Sequence, residues 1–254
     1  MVETFIRRNS SGADMEYNLD KFKSGMNKLN IELSEYQIQQ FLTYYEMLVE
    51  KNKVMNLTAI TEFEEVVEKH FLDSLSLIQQ LDLNQNLKVL DLGTGAGFPG
   101  IPLKIAFPKI EIVLMDSLNK RINFLNEVIT SLKLEKITAV HGRAEEMARK
   151  PEYREQFDLC VSRAVANLAS LSEYCLPFVR LQGNFISYKS GEIEEEVNQS
   201  KKAVFVLGGK IENVKKFRLV ETDAERSFVQ VKKVKKTPKT YPRKAGTPSK
   251  VPIQ

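Results

Sequence analysis

Two hydrophobic rhythms divide the chain. Up to about residue 80 the apolar positions recur every three or four residues. Ile38, Phe41, Leu42, Tyr45, Leu48 and Val49 follow Ser34-Glu35-Tyr36-Gln37, and Val66, Val67, Phe71, Leu75 and Ile78 follow Thr61-Glu62-Phe63-Glu64. Each series marks one face of an α-helix, and each opens with a hydroxyl residue three positions before a Glu or Gln, the spacing of a capping box. Asn56-Leu57-Thr58 supplies the connection between them. From Lys88 onward the rhythm shortens. Apolar or β-branched runs at 89–92, 111–115, 137–140, 157–161 and 183–189 alternate with amphipathic stretches, the clearest at 118–134. Repeated strand–helix alternation predicts an α/β fold with a parallel sheet covered on both faces. After Gly208-Gly209, two strand-like runs at 210–220 and 227–234 stand too close for a helix between them, which predicts an antiparallel hairpin at one sheet edge.

These rhythms partition the chain into a leader (1–25) outside the fold, a helical cap (26–84), a sheet domain (85–236) and a tail (237–254). The leader has no apolar stretch of secretory type and is expected to be disordered or foreign to the natural protein, which would begin at Met15 or Met26. Pro238, Pro242, Pro248 and Pro252 predict an extended tail, because proline fixes φ and lacks a ladder donor.

Composition sharpens this picture in two places. Cys160 and Cys175 are the chain's only cysteines, without metal or disulfide spacing, and a reducing cytosol is the expected setting. The net charge is +4. Between 232 and 250, Lys232, Lys233, Lys235, Lys236, Lys239, Arg243, Lys244 and Lys250 face no acid. Those eight charges leave the rest of the chain at about −4. Attraction for polyanions is therefore expected at the C-terminus, as an arm that tracks phosphates. No apolar run reaches membrane-spanning length.

The candidate chemistry lies at 87–102, where a buried strand enters Asp91-Leu92-Gly93-Thr94-Gly95-Ala96-Gly97-Phe98-Pro99-Gly100. Gly93, Gly95 and Gly97 permit a sharp turn and close backbone approach to a ligand. Gly95, Gly97 and Gly100 also spell the dinucleotide fingerprint, with Asp116 at the expected distance. On that reading the protein is an NAD-dependent oxidoreductase. The alternative takes Asp91-x-Gly93-x-Gly95-x-Gly97 as the unit and S-adenosylmethionine as the ligand, whose cationic sulfonium and amino group favour a nearby carboxylate. Asp116, with Ser117 after it, could accept from ribose hydroxyls in either case, and Ala144-Glu145 after the third strand would hold adenine. A plainer account makes each aspartate a helix cap. A protein that binds RNA without catalysis is a third possibility. His70 and His141 have no partner at metal-ligand spacing, and no metal is expected.

Longer stretches carry a resemblance. They are Asn56-Leu57-Thr58, His70-Phe71-Leu72-Asp73-Ser74, the 91–102 loop, Asp116-Ser117-Leu118-Asn119-Lys120-Arg121, Arg143-Ala144-Glu145, Ser162-Arg163-Ala164 and Tyr241-Pro242-Arg243-Lys244-Ala245-Gly246-Thr247-Pro248. From about Met26 to the C-terminus the chain resembles the bacterial small-subunit rRNA methyltransferases also called glucose-inhibited division protein B. That resemblance implies a class I S-adenosylmethionine-dependent methyltransferase sheet (Rossmann-like, seven strands) with an N-terminal helical extension. It implies methyl transfer to the 7-nitrogen of one guanine in 16S rRNA, free or in an assembling subunit, by a cytoplasmic enzyme expected to be a monomer. It also implies cofactor contacts from Gly93, Phe98, Ala144, Glu145 and Arg163. Because that nitrogen carries a free lone pair, no catalytic base is expected, and Arg163 is the candidate for positioning cofactor or base. Lys120, Arg121, Lys189, Arg243 and Lys244 are candidate RNA contacts, the first two because cations at a helix start oppose its dipole and suggest an anionic partner.

Overall fold

The computed structural model describes residues 4–8, 14–163 and 166–254, with side chains from residue 16 onward. Ala164 of the resemblance motif lies outside the described residues. A short antiparallel hairpin, β1 (Thr4–Arg8) and β2 (Asp14–Asn18), precedes helix α1 (Asp20–Lys28). The boundary expected at Met26 therefore falls inside α1. Tyr17 and Leu19 just before the helix and Phe22 within it precede the longer periodic pattern, yet all three are buried, Phe22 against Phe41 and Phe71.

Helix α2 (Glu35–Met55) starts at Ser34, whose hydroxyl accepts from Gln37 N while the Gln37 side chain accepts from Ser34 N. The capping box expected at Thr61–Glu64 does not form. Glu62 occupies the N-cap of α3 (Phe63–Val66) and makes no side-chain cap. Helix continues as a π-helical stretch (Val67–Leu72), α4 (Asp73–Leu75) and a 3-10 turn at Ser76–Gln79. A π-turn inserts one residue into the helical register, and such turns concentrate at functional sites. This one contains His70.

The sheet domain follows the expected alternation: β3 (Lys88–Leu92), α5 (Gly100–Ala106), β4 (Glu111–Asp116), α6 (Asn119–Ser131), β5 (Ile137–His141), α7 (Ala144–Met147), β6 (Phe157–Ser162), α8 (Leu168–Cys175), β7 (Val179–Ser190), α9 (Glu194–Val206), β8 (Gly209–Arg218) and β9 (Glu225–Lys233). Spatial order is β5-β4-β3-β6-β7-β9-β8. The first five in that order are parallel, and β9 enters antiparallel between β7 and β8, closing the edge as a hairpin. Both faces are covered, so strands read as near-continuous apolar runs. On one face Val89, Ile112, Leu114 and Val161 join the N-terminal helices in a single core. On the other, Leu90, Val113, Met115 and Cys160 pack with α8 and α9. The chain order reverses direction at β3, leaving a crevice beyond the carboxyl ends of β3, β4 and β6, where open α/β sheets bind ligands.

The tail departs from expectation. It is docked, not extended, and ends in a short helical turn, α10 (Thr247–Lys250). Lys233 is fully buried, donating to Leu176 O (2.6 Å) and Thr237 Oγ1 (2.7 Å) and paired with Glu155. Arg243 clamps the fully buried Glu173 with its backbone N (2.7 Å) and guanidinium (2.6 Å). Two of the eight cations counted between 232 and 250 thus neutralise acids within the fold.

Candidate functional site

A cavity of about 400 Å³ fills the crevice, and Leu92, Gly93, Met115, Asp116, Ser117, Ala144, Glu145 and Ser162 line it. That volume lies within the roughly 300–1,000 Å³ range of small-ligand clefts. The glycine loop joins it in two unlike halves. Gly93 (φ +72°) and Gly95 (φ +62°) have left-handed backbone, and a Cβ at either would meet no heavy atom within 4 Å. Here the backbone faces open space. Gly97 and Gly100 are glycines for a different reason, since a Cβ would lie 2.7 Å from Tyr44 Oη at Gly97 and 2.2 Å from Leu114 Cδ2 at Gly100. Tyr44 of α2 donates to Ala96 O (2.7 Å), so the helical cap pins this half of the loop.

The two strand-end aspartates divide likewise. Asp116 receives Leu118 N on Oδ1 (3.0 Å) and Gly95 N on Oδ2 (3.0 Å), and pairs with Arg121 at 3.2 Å. It ties the open half of the loop to β4 while lining the cavity. Asp91 lies outside the cavity lining and is completely buried. Its Oδ2 accepts from Thr94 Oγ1 (2.6 Å) and from Gly100 N (2.8 Å), the first amide of α5, and its Oδ1 has no hydrogen-bond partner. Burial raises its pKa to about 6, with the Thr94 and Gly100 bonds opposing. The cofactor contact expected of Asp91 gives way to a structural one, at the start of a helix.

Arg163 follows β6 but faces a second cavity of about 420 Å³, lined also by Lys69, His70, Asp73, Tyr188 and Arg226. Its NH1 donates to Asp73 Oδ2 (2.8 Å) and its NH2 meets His70 Nδ1 (3.1 Å), while Arg226 Nε holds the other Asp73 oxygen (2.9 Å). Phe98 covers both, its ring stacked 4.5 Å from His70 and its face 5.1 Å from the Arg163 guanidinium. Because a guanidinium only donates, His70 Nδ1 accepts from it, and Nε2–H is left to donate to Thr58 Oγ1 (2.8 Å). Burial and Arg163 push the His70 pKa down to about 3, so the ring is neutral at physiological pH. Phe98 and Arg163 thus stand on the side of the second cavity, while Gly97 faces Tyr44, Ile101 and Leu125 and lines neither cavity.

A family model described as rRNA small subunit methyltransferase G matches residues 37–228. The chain belongs to that family. It is 57% identical over 232 residues to the ribosomal RNA small subunit methyltransferase G of Lachnoclostridium phytofermentans, covering 91% of this chain and 96% of the relative. Identity to the Bacillus subtilis protein of the same description is 46% over 237 residues, 93% of this chain and 99% of that one. Among solved structures, the branched-chain polyamine synthase from Thermus thermophilus superposes with a TM-score of 0.51 at 12% identity, over 65% of this chain and 57% of that one, a likeness of fold alone. Membership makes the chain an rRNA methyltransferase of class I architecture, with S-adenosylmethionine as methyl donor. It decides against the oxidoreductase and binding-only alternatives.

The residues of the first cavity fit that donor. Two glycines leave room for close approach, apolar Leu92, Met115 and Ala144 offer surface for a flat base, and the carboxylates of Asp116 and Glu145 suit a ligand with a net cationic centre. The expected RNA contacts separate on inspection. Lys120 and Lys244 are exposed. Arg121 finds its anion within the chain, at Asp116. Lys189 is nearly buried, donating to Ala166 O (2.7 Å) and Glu196 (2.6 Å), and Arg243 is committed to Glu173. Sequence reasoning gave no role to Asp73, Glu173 or Arg226. Glu173 had a signal, being an acid inside the apolar run Leu168-Ala-Ser-Leu-Ser-Glu-Tyr-Cys-Leu176, where burial demands a cation. Arg226 had none. Among the described residues no cluster of His, Cys, Asp or Glu could hold a metal ion, and no helix is long and apolar enough to cross a membrane.

Proposed function

We propose that the two cavities divide the reaction, the first taking the methyl donor and the second admitting a guanine of 16S rRNA whose 7-nitrogen is methylated. The observation that carries this reading is the pair of open, left-handed glycines beside Asp116 at the sheet's crevice. Gly93 and Gly95 present backbone to the donor, Asp116 accepts from its ribose hydroxyls beside Ser117, and Ala144 and Glu145 flank its base. Bound there, S-adenosylmethionine supplies an electrophilic methyl on sulfur.

The acceptor brings its own lone pair, so the S–C bond breaks as the N–C bond forms and the positive charge passes to the base without any proton transfer. That accounting suits the groups present. His70 is held neutral with both ring nitrogens engaged, and Asp91 is sealed beneath the loop. Neither is placed as a base. The protein contributes alignment, which is worth up to about 7–11 kcal/mol when nucleophile and methyl are held in line. Arg163, fixed by Asp73, His70 and Phe98, is the positioning residue on the acceptor side. Exposed Lys120 and Lys244 offer phosphate contacts around the two cavities. Both cavities are built from one chain, which supports a monomeric enzyme, and a ribosomal substrate supports a cytoplasmic setting.

The test is mass-spectrometric mapping of small-subunit RNA from cells with and without the protein, combined with in vitro transfer of a labelled methyl group. A 7-methylguanine that disappears with the gene and returns with the purified enzyme is the expected result. A modified base of another kind refutes the assignment of the acceptor atom while leaving the donor site standing.

A further inference from the structure

The basic C-terminal segment is strapped down along its whole course. Thr237 N donates to Glu155 Oε1 (2.9 Å) and its hydroxyl to Leu207 O (2.7 Å). Arg154 donates to the carbonyls of Thr237 (2.9 Å) and Tyr241 (3.1 Å), Arg149 to that of Pro242, and Arg243 grips Glu173. Beyond that clamp, Gly246 N donates to Glu145 Oε1 (2.8 Å) and Ser170 Oγ to Pro248 O (2.7 Å). The anchors come from α7, α8, the end of α9 and the turn preceding β6. The strap's last stretch ends against the first cavity, where Gly246 and Ser249 join Gly93 and Asp116 in its lining.

The glycines supply a second, independent observation. Among the described glycines, three combine a left-handed φ with an empty Cβ position: Gly93, Gly95 and Gly246 (φ +79°). The other left-handed glycines, Gly97 and Gly208, face packed atoms. So the strap carries, more than a hundred residues downstream, the same kind of bare backbone surface that the glycine loop presents at the end of β3. A solvated surface turn would also tolerate an open Cβ position. It would not need an arginine clamped on a buried glutamate on one side and a carboxylate-bound amide on the other.

From this we infer that residues 246–249 are a wall of the methyl-donor site, with Gly246 approaching the donor by its backbone and Glu145 acting as the positioning residue that holds the wall in place. This rests on the proposed assignment of the first cavity to the donor. The expected phosphate-tracking arm thereby becomes, in its final part, a component of the donor-binding site. Lys244 and Lys250 remain exposed on it and available to RNA.

The test compares the full chain with a chain ending after Ala245, which keeps the Arg243–Glu173 clamp, and with Ser249→Trp, which places bulk on the wall without removing it. S-adenosylhomocysteine is the calorimetric probe. Loss of the wall is expected to weaken its binding at least tenfold, and Ser249→Trp to weaken it by a comparable factor, while the ligand-free melting temperature of Ser249→Trp stays within about two degrees. Affinity within twofold of the full chain in a folded shortened protein overturns the inference, as does unchanged affinity in Ser249→Trp if the shortened chain does not fold. A shortened chain that loses RNA affinity but keeps donor affinity restores the phosphate-arm account. Absence of binding by the full chain overturns the assignment of the cavity itself, a result distinct from equal binding by all three.

Discussion

The glycine loop has a packed half and an open half, and the two teach how similar residues are used for different ends. In the packed half, Gly97, Gly100 and Asp91 interlock with Tyr44, Leu114 and the first amide of α5, with no exposed surface on Asp91. In the open half, Gly93 and Gly95 turn bare backbone to open space beside Asp116, which lines a cavity. The first half is a joint between the helical cap and the sheet. The second is, on our proposal, a surface for the methyl donor. A carboxylate at the end of a parallel strand serves either purpose, and what separates them is whether a helix start or a void lies in front of it.

Substitutions that exchange the two roles should break this contrast most visibly. Gly100→Ala forces a Cβ to within 2.2 Å of Leu114 and 2.8 Å of Asp91 Oδ2, and overpacking of that kind is expected to cost about 3 kcal/mol of stability by chemical denaturation. Gly93→Ala adds its Cβ to free space, so it should cost only the roughly 1–2 kcal/mol of a left-handed non-glycine residue while greatly weakening S-adenosylhomocysteine binding. Equal stability losses at the two positions would erase the distinction.

A pH series sharpens it. The folded Asp91 carboxyl titrates near 6, above its unfolded value of about 3.8. Between those values the folded state binds the extra proton, so this group's contribution to stability falls as pH rises from about 4 to 6 and is level above. The loss is on the order of 2–3 kcal/mol. His70 acts oppositely, since its pKa drops from 6.5 to about 3 and its contribution grows with pH across that interval. Asp91→Asn should therefore remove the falling component and leave a melting temperature that climbs more steeply from pH 4 to 6. An unchanged profile would mean that burial beneath the loop does not hold the Asp91 carboxyl protonated.

Smaller effects follow on the open side and at the joint. Asp116→Asn keeps an acceptor for one of its two backbone amides, turns a donor toward the other and removes the charge. A stability cost of about 1–2 kcal/mol is expected, beside a loss of about ten- to thirtyfold in donor affinity, on the order of 1.4–2 kcal/mol. Tyr44→Phe deletes only the bond to Ala96 O and should cost about 1 kcal/mol. A larger loss of donor affinity than of stability in Tyr44→Phe would show that the cap governs the ligand surface after all.

Much of the scaffold could be read from the chain because it rests on periodicity. The change from helical spacing to alternating strands at Lys88, and the tight pair of strands after Gly208, reappear in the sheet order. Individual roles at the site were less legible, because they depend on partners distant in sequence. The helix-cap account of Asp91 could be weighed from the chain, but nothing near it decides between Gly100 and a ligand, and Arg163 is separated by 90 residues from the Asp73 that orients it. The tail was opaque for the same reason. Its lysines and prolines have the composition of a solvated end, while the acids that capture it, Glu155 and Glu173, belong to elements some 70 to 80 residues earlier. Charge counting along the chain sums over cations without knowing which have buried counter-charges.

The π-turn at Val67–Leu72 has a consequence for how this region tolerates change. A residue deleted within it would let an ordinary α-helix form, rotating everything beyond by about 100° relative to everything before. The apolar anchors Val66 and Phe71 could then no longer face the core while Asp73 faces Arg163. Length at this point is as informative as identity, and an alignment gap placed here would disconnect the acceptor-side cluster without altering a single side chain in it.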